Sequence, residues 1–384
     1  MKALRILALL ACATLTTTAQ TTPKNFQPHM MVAAANPLAA AAGLEMLKAH
    51  GSAVDAAIAT QLVLNLVEPE SSGIGGGAFM LVYDPQAKKT TSFDGREVAP
   101  ASAKPGMFLD ATGQPRAHND PIPGGLSVGI PGVVGMMELA HKKYGTLPWP
   151  KLFEPAIRIA ENGFPIGPKL ARTIEGSARM KNMPDIARMF FHADGTPMKE
   201  GEIFKNPELA QTFRTIAASG AKAFYTGPIA QAIVDAVQHA PGKNQGGMTM
   251  ADLAGFQARE LNPVCGDYRT WHLCSMGLPS SGGVAIVQIL GMLQRFPASD
   301  LKPNSLLETH LFTQASRLAY ADRAKYLGDV SAAMVNGLLD KGYIASRAAL
   351  IDPKKDMGTA QAGNPPENRV AYAPQVSPEN HGTS

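Results

Sequence analysis

The sequence contains little charge and no long uninterrupted apolar run. Charged residues make up 17% of the 384 residues and hydrophobic residues 45%, a balance that supports a large buried core and argues against wholesale disorder. The net charge is only +4 and the lysines and arginines are scattered, so a nucleic-acid partner is not expected. No apolar run reaches the roughly 20 residues that a membrane-spanning helix needs, so no transmembrane span is expected.

Metal-binding and nucleotide-binding motifs are also missing. The sequence has no Cys-x-x-Cys pair and no His-Glu-x-x-His, and its nine histidines are isolated, so no metal and no cofactor is expected. A glycine loop, Gly73–Gly77, lacks the Lys-Ser/Thr of a phosphate-binding loop. It follows a helical pattern and precedes an apolar strand, the reverse of the nucleotide motifs. We interpret it as a tight turn with close backbone packing.

Residues 1–19 have the pattern of a signal peptide. A basic start with Lys2 and Arg5 precedes an apolar stretch and a small-residue segment that ends at Ala19. This pattern predicts cleavage after Ala19 and a periplasmic or secreted protein. A second interpretation stays open, because the segment that ends at Cys12 resembles a bacterial lipobox and would leave a lipid anchor on Cys12.

Two further cysteines, Cys265 and Cys274, lie in a segment that predicts two short strands around a turn near Arg269-Thr270. A two-residue turn there places Cys265 directly opposite Cys274, close enough to bridge. In an exported protein the favoured interpretation is a disulfide. Two buried thiols are the alternative.

Helix and strand patterns are mixed along the chain, which predicts an α/β (α+β) fold. Asn36-Pro37 and Ser52 with Asp55 are typical helix starts. The apolar segment Ala78–Tyr83 and the segment Thr90–Phe93 predict a hairpin that delivers residues 94–97 to a loop at its end.

Polar groups near predicted element ends allow more than one interpretation. Arg96 suits either a surface pair with Asp94 or Glu97, or a clamp that holds a carboxylate through two parallel hydrogen bonds. Ser280-Ser281 is interpreted as a helix N-cap, because its surroundings are not Gly-x-Ser-x-Gly. Asp322-Arg323 is interpreted as a structural ion pair.

The last residues are Gly382-Thr383-Ser384, after a polar, Pro-rich run. Taken alone, they are more typical of a frayed polar tail than of a site. In an enzyme that cleaves itself before a threonine, however, the new α-amine can act as the base for the hydroxyl of that threonine.

Eight segments, taken in order, resemble the γ-glutamyltranspeptidase (glutathione hydrolase) family of N-terminal-nucleophile hydrolases. They are Ala34–Ala39, Gly51–Ala57, Glu68–Gly77, Asp94–Pro100, Gly129–Gly132, Phe224–Gly227, Leu278–Gly283 and Ala321–Arg323. The resemblance extends from about residue 28 to the end of the sequence.

The resemblance implies a precursor that cuts itself into a large and a small subunit. Residues 28–382 then correspond to the large subunit and residues 383–384 to the start of the small one, the partner in a heterodimer. The nucleophile maps to Thr383, the cleaved bond to Gly382–Thr383, and the group that binds the substrate α-carboxylate to Arg96. The implied fold is a four-layer αββα sandwich that is incomplete without the small subunit, so this chain alone is expected to be inactive and to expose sheet surface.

The implied reaction is cleavage of the γ-glutamyl amide of glutathione and related γ-glutamyl compounds through a γ-glutamyl-threonine ester. Water or an amino-acid or dipeptide acceptor then takes the γ-glutamyl group. Three alternatives stay open: a β-lactam (cephalosporin) acylase, a poly-γ-glutamate hydrolase of the same superfamily, or an inactive large subunit that acts as a scaffold.

Overall fold

The computed structural model describes residues 30–117, 120–122, 124–240, 244–328 and 332–366. The predicted signal peptide with Cys12, and the predicted cleavage segment with Gly382 and Thr383, lie outside these residues. The description below concerns the unit that begins at Val32.

The described residues contain both helices and short strands. The helices are α1 Pro37–Lys48, α2 Ala53–Val67, α3 Val133–Tyr144, α4 Glu154–Asn162, α5 Pro168–Gly176, α6 Ala178–Lys181, α7 Pro184–Phe190, α8 Pro207–Ser219, α9 Lys222–Tyr225, α10 Gly227–Gln238, α11 Met250–Ala254, α12 Gly282–Leu293, α13 Leu306–Tyr326, α14 Ala332–Leu338 and α15 Lys341–Ala348. The strands are β1 Ala78–Asp84, β2 Lys89–Gly95, β3 Phe164–Pro165, β4 Ile203–Phe204, β5 Arg259–Leu261, β6 Val264–Tyr268 and β7 Trp271–Ser275. None of the helices among the described residues is long and apolar enough to cross a bilayer.

The predicted hairpin is confirmed as β1 and β2, which form an antiparallel sheet with the order β1-β2-β5. Ala78 pairs with Gly95 and Asp84 with Lys89, so the end of β2 lies beside the start of β1. On the other edge of β2, Asp94 pairs with Arg259 of β5. Strands β3–β4 and β6–β7 form two further antiparallel pairs. The register therefore places the segment after Gly95 at one end of the sheet.

The main hydrophobic core lies between this sheet and the surrounding helices. Helix α2 is apolar on almost every side, with Ile58, Leu62 and Leu66 nearly inaccessible to solvent, as expected for a helix inside a core. Phe93 of β2 joins the same cluster, as do the large side chains Phe153 and Phe213. The sheet end that carries Arg96 is thus held on a rigid, well-packed base.

Local capping rules account for the start of α2. Ser52 Oγ accepts a hydrogen bond from Asp55 N at 3.1 Å, and Asp55 Oδ2 accepts one from Ser52 N at 2.8 Å, which completes a capping box. The same Asp55 oxygen also accepts from the backbone N–H groups of Thr146 at 2.9 Å and Leu147 at 3.1 Å. Burial by itself raises the pKa of Asp55, but these hydrogen bonds outweigh it, so the pKa lies below the ordinary value of 3.8.

Close backbone packing brings together the glycine loop, the end of β2 and the turn before α3. Gly132 N and Val133 N both donate to the Gly76 carbonyl, at 2.9 and 3.2 Å. A Cβ on Gly132 would lie 2.1 Å from the Gly95 carbonyl oxygen, and a Cβ on Gly95 would lie 2.8 Å from the Gly132 oxygen. The absence of side chains at both positions is what lets the two backbones meet.

A buried carboxylate organises the C-terminal helices, and it corrects one prediction. The predicted pair between Asp322 and Arg323 is wrong, because neighbouring residues on a helix do not face each other. Asp322 Oδ1 instead lies 3.1 Å from Arg347 Nη2, with both side chains buried, and Asp322 Oδ2 accepts from Tyr343 Oη at 2.8 Å. Gly363 N donates to Asp322 Oδ1 at 2.8 Å, which fixes the segment that follows α15.

Arg323 forms a hydrogen bond with Ser281 instead of an ion pair with Asp322. Its Nε donates to Ser281 Oγ at 2.8 Å. Ser281 does occupy the N-cap position of α12, but its hydroxyl makes no capping hydrogen bond. The predicted N-cap position is therefore confirmed for Ser281, but its side chain links the loop before α12 to α13. The hydroxyl that accepts from the start of α12 is that of Ser280, which lies 3.3 Å from Gly282 N.

We expect Gly132→Ala to destabilise the protein by about 1–3 kcal/mol, because the new Cβ has to push the Gly95 backbone away. Gly75→Ala is the matched control, since a Cβ there meets nothing within 4 Å. Urea unfolding followed by circular dichroism measures both effects. Equal unfolding midpoints for the two variants would contradict the packing argument.

The buried Asp55 carboxylate makes stability depend on acidity. The pKa of the Asp55 carboxyl is lower in the folded chain than in the unfolded one. Its contribution to stability is therefore complete above pH 3.8 and is lost as the pH falls through the folded-state pKa. Asp55→Asn should cost about 1–3 kcal/mol at neutral pH. It should also flatten the fall in stability below pH 3.8. Asp185 is exposed, so Asp185→Asn is the control and should change stability by no more than about 0.5 kcal/mol. If stability falls with acidity in the same way in Asp55→Asn as in the wild type, the Asp55 carboxylate does not cause that fall.

Candidate functional site

Arg96 follows directly after β2, where the chain turns away from the sheet. Its backbone N–H donates to Asp94 Oδ1 at 2.9 Å, and this contact shapes the turn. The side chain is exposed, and its Cζ lies 6.0 Å from the centre of the Phe79 ring on β1, within the range of a cation–π contact. Among the described residues, no carboxylate forms an ion pair with the Arg96 guanidinium.

The buried carboxylate next to Arg96 has another cation as its partner. Asp94 is 4% exposed, so its charge needs a close partner. Arg259 of β5 provides it: Arg259 Nε lies 3.1 Å and Arg259 Nη2 2.5 Å from Asp94 Oδ2, a two-pronged contact. Since Arg259 neutralises Asp94, the Arg96 guanidinium keeps its hydrogen-bond donors for a different group.

The glycine loop and the turn before α3 border the Arg96 segment. A Cβ on Gly77 would lie 2.4 Å from a carboxylate oxygen of Glu97, and a Cβ on Gly129 would lie 2.9 Å from the Glu97 Cβ. Ile130 N donates to the Val98 carbonyl at 2.8 Å. The glycine loop is therefore the close-packed turn that was predicted. It packs on Glu97, and the turn before α3 contacts both Glu97 and Val98.

Tyr225 supports this arrangement and was not singled out from the sequence. Its hydroxyl donates to the Pro131 carbonyl at 2.9 Å and accepts from Gly135 N at 3.1 Å. Burial raises the pKa of Tyr225, so the hydroxyl stays neutral and keeps its proton for Pro131. The only signal in the sequence was the segment Phe224–Gly227, which does not reveal a partner 94 residues away.

The arrangement suits the binding of a carboxylate rather than a phosphate chain. An exposed guanidinium offers parallel donors that match the two oxygens of a carboxylate. Ser280 and Ser281 are not arranged as activated nucleophiles, because in the described part of the chain no histidine contacts their hydroxyls. Thr383 lies outside the described residues, so the structure places it neither near Arg96 nor away from it.

The two strands β6 and β7 bring together a second group of reactive side chains. Cys265 pairs directly with Cys274, and their sulfurs are bonded to each other. One ring nitrogen of His272 and the two sulfurs all lie within 4.8 Å of one another. The expectation that every histidine is isolated is therefore wrong for His272, because strand pairing brings together residues that are seven positions apart.

A family model and a comparison with curated proteins both identify relatives. A gamma-glutamyltranspeptidase family model matches residues 39–384. The glutathione hydrolase proenzyme of Bacillus subtilis (strain 168) is 40% identical over 337 residues, which cover 87% of this chain and 57% of the relative. The glutathione hydrolase proenzyme of Escherichia coli (strain K12) is 38% identical over 329 residues, covering 85% of this chain and 56% of the relative. The chain thus spans little more than half the length of these relatives.

Solved structures agree with the sequence comparisons. The Helicobacter pylori gamma-glutamyltranspeptidase matches with a TM-score of 0.83 at 33% identity, over 91% of this chain and 99% of that chain. A cephalosporin acylase from Bacillus halodurans matches with a TM-score of 0.68 at 28% identity, over 85% of this chain and 63% of that chain. The predicted α/β fold class is confirmed by this similarity. The extent of the family match and the identity to the curated relatives show that the chain belongs to the gamma-glutamyltranspeptidase family.

Proposed function

We propose that this chain is the donor-binding part of a γ-glutamyl hydrolase or transferase, in which Arg96 binds the free α-carboxylate of the γ-glutamyl group. The observation that carries the proposal is the Arg96 guanidinium, which is exposed and has no ion-pair partner among the described residues. Its neighbour Asp94 is already neutralised by Arg259. A guanidinium left open in this way suits a carboxylate that arrives with the substrate.

The backbone around Arg96 supports a positioning role. Glycine contacts on one side and the Asp94–Arg259 pair on the other restrict the segment that carries the guanidinium. Two parallel hydrogen bonds to the α-carboxylate then determine where the γ-amide of the donor lies. Such a clamp selects donors in which glutamate is linked through its side chain and its α-carboxylate is free.

Thr383 is the proposed nucleophile, after cleavage of the Gly382–Thr383 bond. Its α-amine takes the hydroxyl proton while the oxygen attacks the γ-glutamyl carbonyl, and the amine then returns the proton to the leaving group. The resulting ester passes the γ-glutamyl group to water or to an amino-acid or dipeptide acceptor. The name proenzyme of the curated relatives supports this processing step, and the small subunit is the proposed partner chain.

Export is part of the proposal. The pattern of residues 1–19 supports cleavage after Ala19 and a periplasmic or secreted enzyme. Retention of a lipid on Cys12 is the competing outcome.

The alternatives differ in what Arg96 has to bind. An acylase acting on a β-lactam side chain does not require an arginine that binds an amino-acid α-carboxylate. The structural match to the cephalosporin acylase is also weaker, with a TM-score of 0.68 against 0.83 for the gamma-glutamyltranspeptidase. A poly-γ-glutamate hydrolase would use the same clamp. An inactive scaffold would need no open guanidinium.

In the two-subunit enzyme, we expect Arg96→Ala to raise KM for glutathione by about 100-fold or more, because the variant loses two hydrogen bonds between charged groups, which contribute about 1.5–3 kcal/mol each. Steady-state hydrolysis measures this change. Arg158→Ala is the control: Arg158 is another exposed arginine, paired with Glu45 at 2.8 Å.

A modified donor tests directly whether Arg96 binds the α-carboxylate. A donor whose α-carboxylate is converted to a carboxamide should be poor for the wild type and equally poor for Arg96→Ala, since the missing group is the one that Arg96 binds. An unchanged KM for glutathione in Arg96→Ala would show that Arg96 does not bind the α-carboxylate of the donor.

In a precursor that contains the small subunit, Thr383→Ala should remain one unprocessed chain, because no hydroxyl is left to attack the preceding peptide bond. Thr383→Ser should still be cleaved, and Ser384→Ala serves as the control. Intact-mass spectrometry should find a large chain running from Gln20 to Gly382 in the wild type. Cleavage of Thr383→Ala at the same bond would show that another residue is the nucleophile.

A further inference from the structure

The outward face of the β6–β7 hairpin carries four residues with metal-binding side chains. Cys265 pairs with Cys274 and Asp267 pairs with His272, and residues two apart on a strand point to the same face. The other face packs on α12: a Cβ on Gly266 would lie 2.4 Å from Val287. The four side chains therefore point away from α12.

The ligand atoms are already close enough for a common ion. The sulfurs of Cys265 and Cys274 and one His272 ring nitrogen lie within 4.8 Å of one another. Zinc binds sulfur at about 2.3 Å and imidazole nitrogen at about 2.0 Å, which separates neighbouring ligands by roughly 3.5–4 Å. Small side-chain rotations cover the difference once the sulfurs are not bonded to each other.

Asp267 orients the histidine as a carboxylate does beside many metal-bound imidazoles. His272 Nδ1 lies 2.8 Å from Asp267 Oδ1, which occupies that ring nitrogen and leaves Nε2 open to an ion. Both side chains are exposed, so an ion can enter from solvent. A disulfide needs neither the His272 imidazole nor the Asp267 carboxylate. The presence of both groups beside the two sulfurs suggests that the hairpin has a second state in which they take part.

We propose that the hairpin binds one Zn²⁺ when its disulfide is reduced, through Cys265, Cys274 and His272, with solvent in the fourth position. Two molecules of a thiol, which end as a disulfide, or one phosphine together with one water, which end as the phosphine oxide, supply the two electrons and two hydrogens that convert the S–S bond to two thiols. Zinc binding then forms two Zn–S bonds and releases the two thiol protons to solvent. The disulfide and the zinc site are mutually exclusive, so the redox state of the hairpin decides which one exists.

The test uses the full chain with Cys12→Ser, which removes the third of the three cysteines in the sequence. The protein is reduced with a phosphine, freed of reductant without air, and titrated with Zn²⁺ by calorimetry. Co²⁺ is the spectroscopic probe, because thiolate-to-cobalt charge-transfer bands report sulfur ligation. We expect one ion per reduced chain, thiolate bands with Co²⁺, and no binding to the oxidised chain.

Surface variants separate this site from adventitious binding. His272→Ala should weaken zinc affinity at least tenfold, and Asp267→Asn, which alters only the residue behind the ligand, should weaken it by about tenfold. His192→Ala is the matched control, because His192 is also exposed and lies 3.1 Å from a carboxylate, Glu202, but has no such cysteines beside it. Equal zinc affinity of the reduced and oxidised chains, or unchanged affinity in His272→Ala, would overturn the proposal.

Discussion

The position of Arg96 depends on a contact between two stretches of backbone that leaves no room for side chains. Gly95, the last residue of β2, and Gly132, which precedes α3, approach so closely that a Cβ on either would overlap the carbonyl of the other. The Gly76 carbonyl then accepts from the first amides at the start of α3. Because this contact joins the sheet, the glycine loop and α3, it restricts the segment that presents Arg96 to solvent without any direct contact to the guanidinium.

Charge balance adds a second constraint to the same sheet end. Asp94 is buried, and a buried carboxylate without a partner would be strongly unfavourable. Arg259 reaches it from β5 with two nitrogens, and the backbone amide of Arg96 completes the set of donors. Asp94 therefore binds the main chain of Arg96 but not its side chain. One carboxylate thus shapes the turn while leaving the exposed guanidinium open to a ligand.

Local rules predicted much of the fold, and contacts between distant residues account for what they missed. The hairpin of β1 and β2, the capping box at Ser52 and the opposition of Cys265 to Cys274 all depend on residues within a few positions or across a short turn. Asp322 was assigned to its neighbour because the true partner, Arg347, lies two helices further on. Neither helix periodicity nor residue type records such a pairing. The resemblance to a family located Arg96, but not the reason why its guanidinium is open.

The hairpin of β6 and β7 is held by strand pairing as well as by its disulfide. A disulfide stabilises mainly by restricting the unfolded chain, and the effect grows with the length of the closed loop. Cys265 and Cys274 are 9 residues apart, so their bridge contributes roughly 2.5 kcal/mol in that model, against about 4.7 for a loop of 100 residues. Strand pairing and the packing of Gly266 on α12 already hold the two strands in register. Opening the bridge therefore leaves the strand framework in place, with His272 still beside the two sulfurs, and this persistence allows a reduced hairpin to act as a metal site.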